Sequence, residues 1–467
     1  MRVKRIAAAV LGGALAAGGG LVVGAAATDP GAARGGGSTP PPAPSWQEVQ
    51  LAAKAAHDAG HFEEYRGDIQ RLFEILSGNP ATVFAMAKAE ALLGHPAAAL
   101  EWLNAYAAMG LLRDAGAEPD LASLREVDGF AAALARLDAN RRPVSRSSPV
   151  FTLPERELLT EDIAYDPGSR RFFVSSIRER KIVAIDARSG AAADFVPAGR
   201  DRIWGVMALA VDARRGVLWA TTAAMPQTRG YRADDQGHTA VLRYDLATGK
   251  LLKRYDLPLA RPVHPASPGS AAARAPVPAE DRDRVLGDMT VAPDGDVFAS
   301  EAVTGAVYTV RRDRDELELL VPPGTFISPQ TPAATPDGRR LLVADYVRGI
   351  GIVDLATRAV TWMPHPREVA VNGIDGMYLF GGSLLAIQNG TDPNRVVRLR
   401  LDPALTRIAG WEAIESNSPG LGQPTHGTVV GTDFFFLANS GWDQFADDGS
   451  VKPGASFTPA QVRRVAL

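Results

Sequence analysis

The sequence predicts a mainly β chain, a six-bladed β-propeller preceded by a small α-helical domain. Three observations predict it. Apolar residues recur every three or four positions up to about residue 140 and alternate from about residue 149, a change from helical to strand period. GSRRFFVSS, RRGVLWATT, PDGDVFASE, PDGRRLLVAD, GGSLLAIQN and GTDFFFLAN then repeat one phrase: tight turn, hydrophobic strand, small or polar ending. Gly295, Gly338 and Gly381 recur at intervals of 43 residues, the length of a four-stranded blade.

The chain opens with Arg2, Lys4 and Arg5 before an apolar, Gly/Ala-rich run that closes on Ala25-Ala26-Ala27. A basic start, apolar core and small-residue site are the parts of a signal peptide, so residues 1–27 are expected to be removed during export to a periplasmic or secreted location. A single membrane anchor is the alternative, because the apolar run approaches the length that spans a bilayer. The Gly/Pro-rich linker of residues 28–44 favours export, which leaves no stable membrane span after processing.

Residues 45–140 form the helical part. WQEVQLAAKAAHDAG, FEEYRGDIQRLFEILSG, PATVFAMAKAEALLG and PAAALEWLNAYAAMG each carry a helical apolar stripe and stop on glycine. Gly60 and Gly94 are 34 residues apart, and Ala87, Gly94 and Ala99 are small where two helices would pack closely. This resembles the tetratricopeptide repeat and implies helical hairpins that offer a surface to a protein partner. A helical cap packed on the next domain is the alternative. His57 and His61 are four apart, but Gly60 breaks the helix between them, which argues against a metal site there.

After the joint DANRRPVSRSS, residues 149–467 are assigned to the propeller. Two Pro/Gly-containing insertions, MPQTRGYRADDQGH and PLARPVHPASPGSAAARAPVPAEDRD, account for the long interval between Asp212 and Asp294. A degenerate seventh blade is the alternative there. The last phrase has three strands, HGTVVG, DFFFLAN and QVRRVAL, and lacks a fourth. The strand at residues 149–154 has no other partner, so it is expected to complete the final blade and close the ring.

Composition narrows the function. Acids and bases are interspersed at a net charge of −3, so no basic field favours nucleic acid. Cysteine is absent, which excludes disulfides, thiolate metal sites and a cysteine nucleophile. No G-x-S-x-G elbow, P-loop or H-E-x-x-H motif is present.

In a propeller the start of innermost strand A and the end of strand B share one rim, the mouth of the central channel. Strand-A starts carry Glu161, Asp288, Gln330, Asp375 and His426; strand-B ends carry Ser176, Thr222, Glu301, Asp345, Asn389 and Asn439. Asp294 and Asp337 fall on the opposite face as turn formers. Converging carboxylates need a cation, a proton or hydrogen-bond donors, and a hard cation such as Ca2+ takes oxygen ligands of this kind. A hydrated channel without chemistry is the alternative. His426, Asn389, Asn439 and Asp345 are the candidates to line a small-molecule ligand in the mouth.

Two segments carry a family resemblance. TEDIAYDPGSRRFFVSS resembles the first blade of the gluconolactonase/regucalcin (senescence marker protein) lactonases, and GIDGMYLFGGSLLAIQN resembles a later blade of the same family. The resemblance implies Glu161 as a divalent-metal ligand and Asp375 as both ligand and general base. It departs from the family where Gln330-Thr331 replaces an Asn-Gly ligand motif, and where Asp288 stands for a substrate-facing asparagine. The expected set is therefore Glu161 and Asp375 as catalytic residues, with Gln330 and Asp288 completing the metal site. Two functions follow from these readings: a metal-dependent hydrolase of lactone-like esters, or a non-catalytic propeller that binds a ligand or protein partner.

Overall fold

The computed structural model describes residues 44–259 and 283–467. The expected signal peptide, nearly all of the linker and most of the second insertion lie outside the described residues.

Among the described residues five α-helices come first: α1 (Trp46–Asp58), α2 (Phe62–Ile75), α3 (Pro80–Leu92), α4 (Pro96–Ala108) and, after a 3-10 turn at Pro119–Leu124, α5 (Phe130–Ala139). The start is specified locally. Ser45 and Glu48 form a capping box, each side chain bonding the other's backbone amide. Asn79 caps α3 by accepting from Ala81 N at 3.0 Å, with Pro80 in the first turn. Pairs α1/α2 and α3/α4 repeat at 34 residues, and Gly60 and Gly94 end the first helix of each pair with the same φ of +74°. Helix α3 is buried almost all round, and Ala87 and Ala99 are fully enclosed.

The rest is a six-bladed β-propeller. Two short strands precede the blades, β1 (Val144–Ser145) and β2 (Ser148–Thr152). Blade 1 is β3 (Ile163–Asp166), β4 (Arg171–Ser176), β5 (Lys181–Asp186) and β6 (Ala192–Val196). Blade 2 is β7 (Gly205–Asp212), β8 (Val217–Ala223), β9 (Thr239–Asp245) and β10 (Leu251–Asp256). Blade 3 is β11 (Leu286–Val291), β12 (Val297–Glu301), β13 (Ala306–Val310) and β14 (Leu317–Val321). Blade 4 is β15 (Pro329–Ala334), β16 (Arg340–Asp345), β17 (Gly349–Asp354) and β18 (Val360–Trp362). Blade 5 is β19 (Ile374–Phe380), β20 (Ser383–Gln388), β21 (Arg395–Leu401) and β22 (Ile408–Ser416), with β1 added outside β22. Blade 6 is β23 (Gly427–Val430), β24 (Asp433–Leu437) and β25 (Gln461–Ala466), completed by β2, which pairs Ser148 with Arg464 and Thr152 with Gln461. Innermost strands β3, β7, β11, β15, β19 and β23 neighbour one another in turn, and β23 meets β3 again.

Period-two alternation builds the ring. Phe172 faces the core shared with blade 6 while Phe173 faces the core shared with blade 2. In blade 4, Leu341 and Val343 pack toward blade 3, and Leu342 and Ala344 toward blade 5. Both faces of a blade are buried, so its central strands read as unbroken apolar runs.

The helical domain is seated on the rim of blades 4 and 5. Asn79 Nδ2 donates to Val347 O at 2.8 Å, and Leu112 N donates to Asp392 O at 2.7 Å. Arg395 is buried, and among the described residues it makes no ion pair; Nη1 donates to Met109 O at 2.6 Å, Nε to Gln388 Oε1 at 2.8 Å, and the guanidinium lies over Trp411. A Cβ at Gly110, where φ is +72°, would meet Trp411 at 2.4 Å, so this close approach requires glycine.

Candidate functional site

Strand-A starts from five blades bring their side chains to the axis. Glu161, Asp375 and His426 each place a ligand atom within 4.8 Å of the others. Glu161, Asp162, Asp288, Gln330, Asp375 and His426 are all at most 5% exposed, so the site is closed.

His426 organises the cluster. Its Nδ1 donates to Glu161 O at 2.9 Å, and its Nε2 faces Asp288 Oδ1 at 2.7 Å and Thr331 Oγ1 at 3.1 Å. Both ring nitrogens face acceptors, the arrangement of an imidazolium. Burial alone would lower its pKa, but the charges of Asp288, Asp162 and Asp375 outweigh burial and push it up to about 10. His426 therefore brings a positive charge to the cluster and, in this geometry, has no lone pair to offer a metal. Asp288 is the partner of that imidazolium, whereas the sequence reading placed it among metal ligands.

Gln330 donates through Nε2 to Ser328 O and Ser328 Oγ, and its Oε1 is buried without a partner. Asn389 donates from Nδ2 to Asp375 Oδ2 and to Pro424 O, and accepts from the Tyr346 hydroxyl at 3.0 Å. Asp375 is thus oriented from the rim.

Asp345 and Asn439 are not brought to the cluster. Asp345 caps its own blade, accepting from Ile327 N at 2.6 Å, Ser328 N at 3.2 Å, and Val347 N and Arg348 N at 2.9 Å each. Asn439 accepts from Gln461 N at 2.8 Å and donates to Pro459 O at 3.0 Å. Other strand-B ends act likewise: Glu301 accepts from Val285 N and Val303 N, Thr222 from Trp204 N, and Ser176 from Glu179 N. These residues clamp the entry to strand A onto the B–C turn, which is why a polar residue recurs there in blade after blade.

Three participants escaped the sequence reading. Asp162 accepts from Leu209 N and Ile163 N at 2.7 Å each, tying blade 1 to blade 2. Burial raises its pKa to about 7, with His426 and the two amides pulling down and Asp288 pushing up. Its position next to Glu161 at a strand-A start was the available signal. Thr331 donates to Asp375 O at 2.8 Å, so it joins blade 4 to blade 5. Trp442 donates from Nε1 to Glu161 Oε2, out of the long connection between β24 and β25. There it packs with Leu159, Ile177, Met207, Met225 and Phe445 over the mouth. A B–C loop that folds back over the axis has no local sequence signature.

No known family matches the chain, and no curated protein does. Solved propeller structures do. A virginiamycin B lyase from Staphylococcus aureus is 16% identical, with a TM-score of 0.41, over 61% of this chain and 80% of that one. Regucalcin, a calcium-binding protein from Agrobacterium tumefaciens, is 13% identical, with a TM-score of 0.42, over 69% and 92%. The PQQ-bound aldose sugar dehydrogenase from Streptomyces coelicolor is 14% identical, with a TM-score of 0.43, over 70% and 100%. The class of protein defined here, a six-bladed propeller with a closed acidic axial cluster, rests on the strand order and distances above. No helix among the described residues is long and apolar enough to cross a membrane.

Proposed function

We infer that the chain is an exported, metal-dependent hydrolase of lactone-like esters, with residues 1–27 as its export signal. The observation that carries this reading is the convergence of the Glu161 and Asp375 carboxylates within 4.8 Å, beside the His426 imidazolium. Glu161, Asp162, Asp288 and Asp375 face a single imidazolium, and that imbalance suits a hard divalent cation such as calcium. Glu161 and Asp375 would hold it, and Gln330 Oε1, buried and unpartnered, is a neutral oxygen of the type calcium accepts. Bound there, the cation supplies carbonyl polarisation and a more acidic water.

Asp375 suits the role of general base because Asn389 fixes one of its oxygens. Hydrolysis adds water across the acyl–oxygen bond: the water proton passes to Asp375, the ring oxygen leaves and takes up a proton, and a hydroxy acid results. The resemblance to the gluconolactonase/regucalcin lactonases points to the same pair of carboxylates. A second reading, a non-catalytic exported propeller whose tetratricopeptide-like helices dock a protein partner, is favoured by the closure of the site under Trp442.

Calcium titration by calorimetry and a lactone hydrolysis assay test the first reading on the parent protein and two variants. Asp375→Asn should keep an oxygen ligand and lose the base, so turnover falls more than metal content. Glu161→Gln should lower metal retention as well. No binding at millimolar calcium, together with no hydrolysis of any lactone, would falsify the enzyme reading.

A further inference from the structure

A cavity of about 450 Å³ lies where the helical domain meets blades 4 and 5. Cavities of this size at domain junctions are where small organic ligands bind. Phe84 and Tyr106 form one wall, edge to face, with ring centroids 5.3 Å apart. Arg113 lies over Phe84 with Cζ 4.8 Å from the ring centre. Arg113 is half-buried, and among the described residues no hydrogen bond or ion pair occupies its guanidinium donors. It is a planar fork held by stacking and open to an anion.

The opposite wall comes from the propeller. Asn372 is 4% exposed; its Nδ2 donates to Val347 O, which leaves Oδ1 in the wall without a donor. Gly390 keeps the neighbouring wall flat, since a Cβ there would meet the Tyr346 ring at 2.4 Å. Exposed Asp114 and Asp392 also line the cavity, and they oppose a dianion more strongly than a monoanion.

We propose that this cavity binds a small organic monoanion with a flat apolar body and an O–H or N–H donor. Its carboxylate pairs with Arg113, its ring lies against Phe84 and Tyr106, and its donor turns to the Asn372 amide with a small adjustment of that wall. The site is separate from the axial cluster and stands whether or not the protein is a hydrolase. The Tyr346 hydroxyl and Asn389 nevertheless link it to Asp375 by hydrogen bonds.

Ligand-observed NMR and calorimetry on the full chain test the proposal with 4-hydroxybenzoate and 4-aminobenzoate. The controls are 4-hydroxybenzyl alcohol, benzoate and inorganic phosphate. The two aromatic acids should bind at millimolar concentration or below, at least about tenfold tighter than the alcohol, and the tighter of the two identifies the donor. Arg113→Met should weaken both acids by about tenfold or more, and Arg113→Lys by less, because the charge survives without the fork. The proposal is overturned if the alcohol or phosphate binds as tightly, if benzoate equals the two donors, if both Arg113 variants bind like the parent, or if no acid binds at millimolar concentration.

Discussion

The channel mouth carries two rings of buried polar residues that differ in what they face. In the outer ring, at the strand-B ends, Asp345 spends both oxygens on four backbone amides of its own blade and the turn beside it. Glu301 does the same with the amides of Val285, Val303 and Thr304. In the inner ring, at the strand-A starts, Glu161 and Asp162 of blade 1, Asp288 of blade 3 and Asp375 of blade 5 crowd one imidazolium. Burial does not separate the two rings, because both Asp345 and Asp375 are fully enclosed. A carboxylate answered by local amides holds the fold, whereas four carboxylates gathered around a single imidazolium carry more negative charge than that one cation offsets.

The largest effect should come from the outer ring. Asp345→Ala strands four amides, two of them buried and two part-buried, and should cost about 4 kcal/mol in urea denaturation, the same with or without calcium. A cost under about 1 kcal/mol would erase the distinction. In the inner ring, His426→Gln removes the internal cation. In chelator it should lose about 3 kcal/mol, and calcium should restore most of that loss. A loss that calcium leaves untouched would place His426 with the outer ring.

Per step of the variable changed, the smallest effect is a pH slope, supplied by Asp162 and His426. Both have a folded-state pKa above the unfolded value, so both contribute stability at low pH that is lost as pH rises. For Asp162 the window runs from 3.8 to about 7; for His426 it runs from 6.5 to about 10. Each slope is at most about 1.4 kcal/mol per pH unit. Calcium-free melting against pH should flatten below about 7 in Asp162→Asn and above it in His426→Gln. Parent-like profiles in both variants would mean that these protons are not linked to folding.

Most of the fold is legible in the chain because each blade is written locally. Turn glycines, two-residue alternation and a 43-residue interval are all short-range signals. The site is legible only in part. Glu161, Asp288, Gln330, Asp375 and His426 could be found from their place at strand-A starts, because that place is set by each blade's own phrase. Their partners could not. Asp288 belongs with His426 because blades 3 and 6 face each other across the axis, and Asp345 turns to its own amides because a B–C turn exposes donors to that position.

What the sequence determined by itself is the series of blades, the helical pairs before them, and a polar residue at the axial opening of five of the six blades. Hydrophobic period and turn chemistry act over a few residues and need no distant partner. What only the tertiary structure decided is which charges meet, that Trp442 returns over the mouth to Glu161, and that the helical domain closes a cavity on blades 4 and 5. Those contacts join residues hundreds of positions apart, and the charge state of a buried group is set by neighbours brought in by ring closure, which nothing local in the chain encodes.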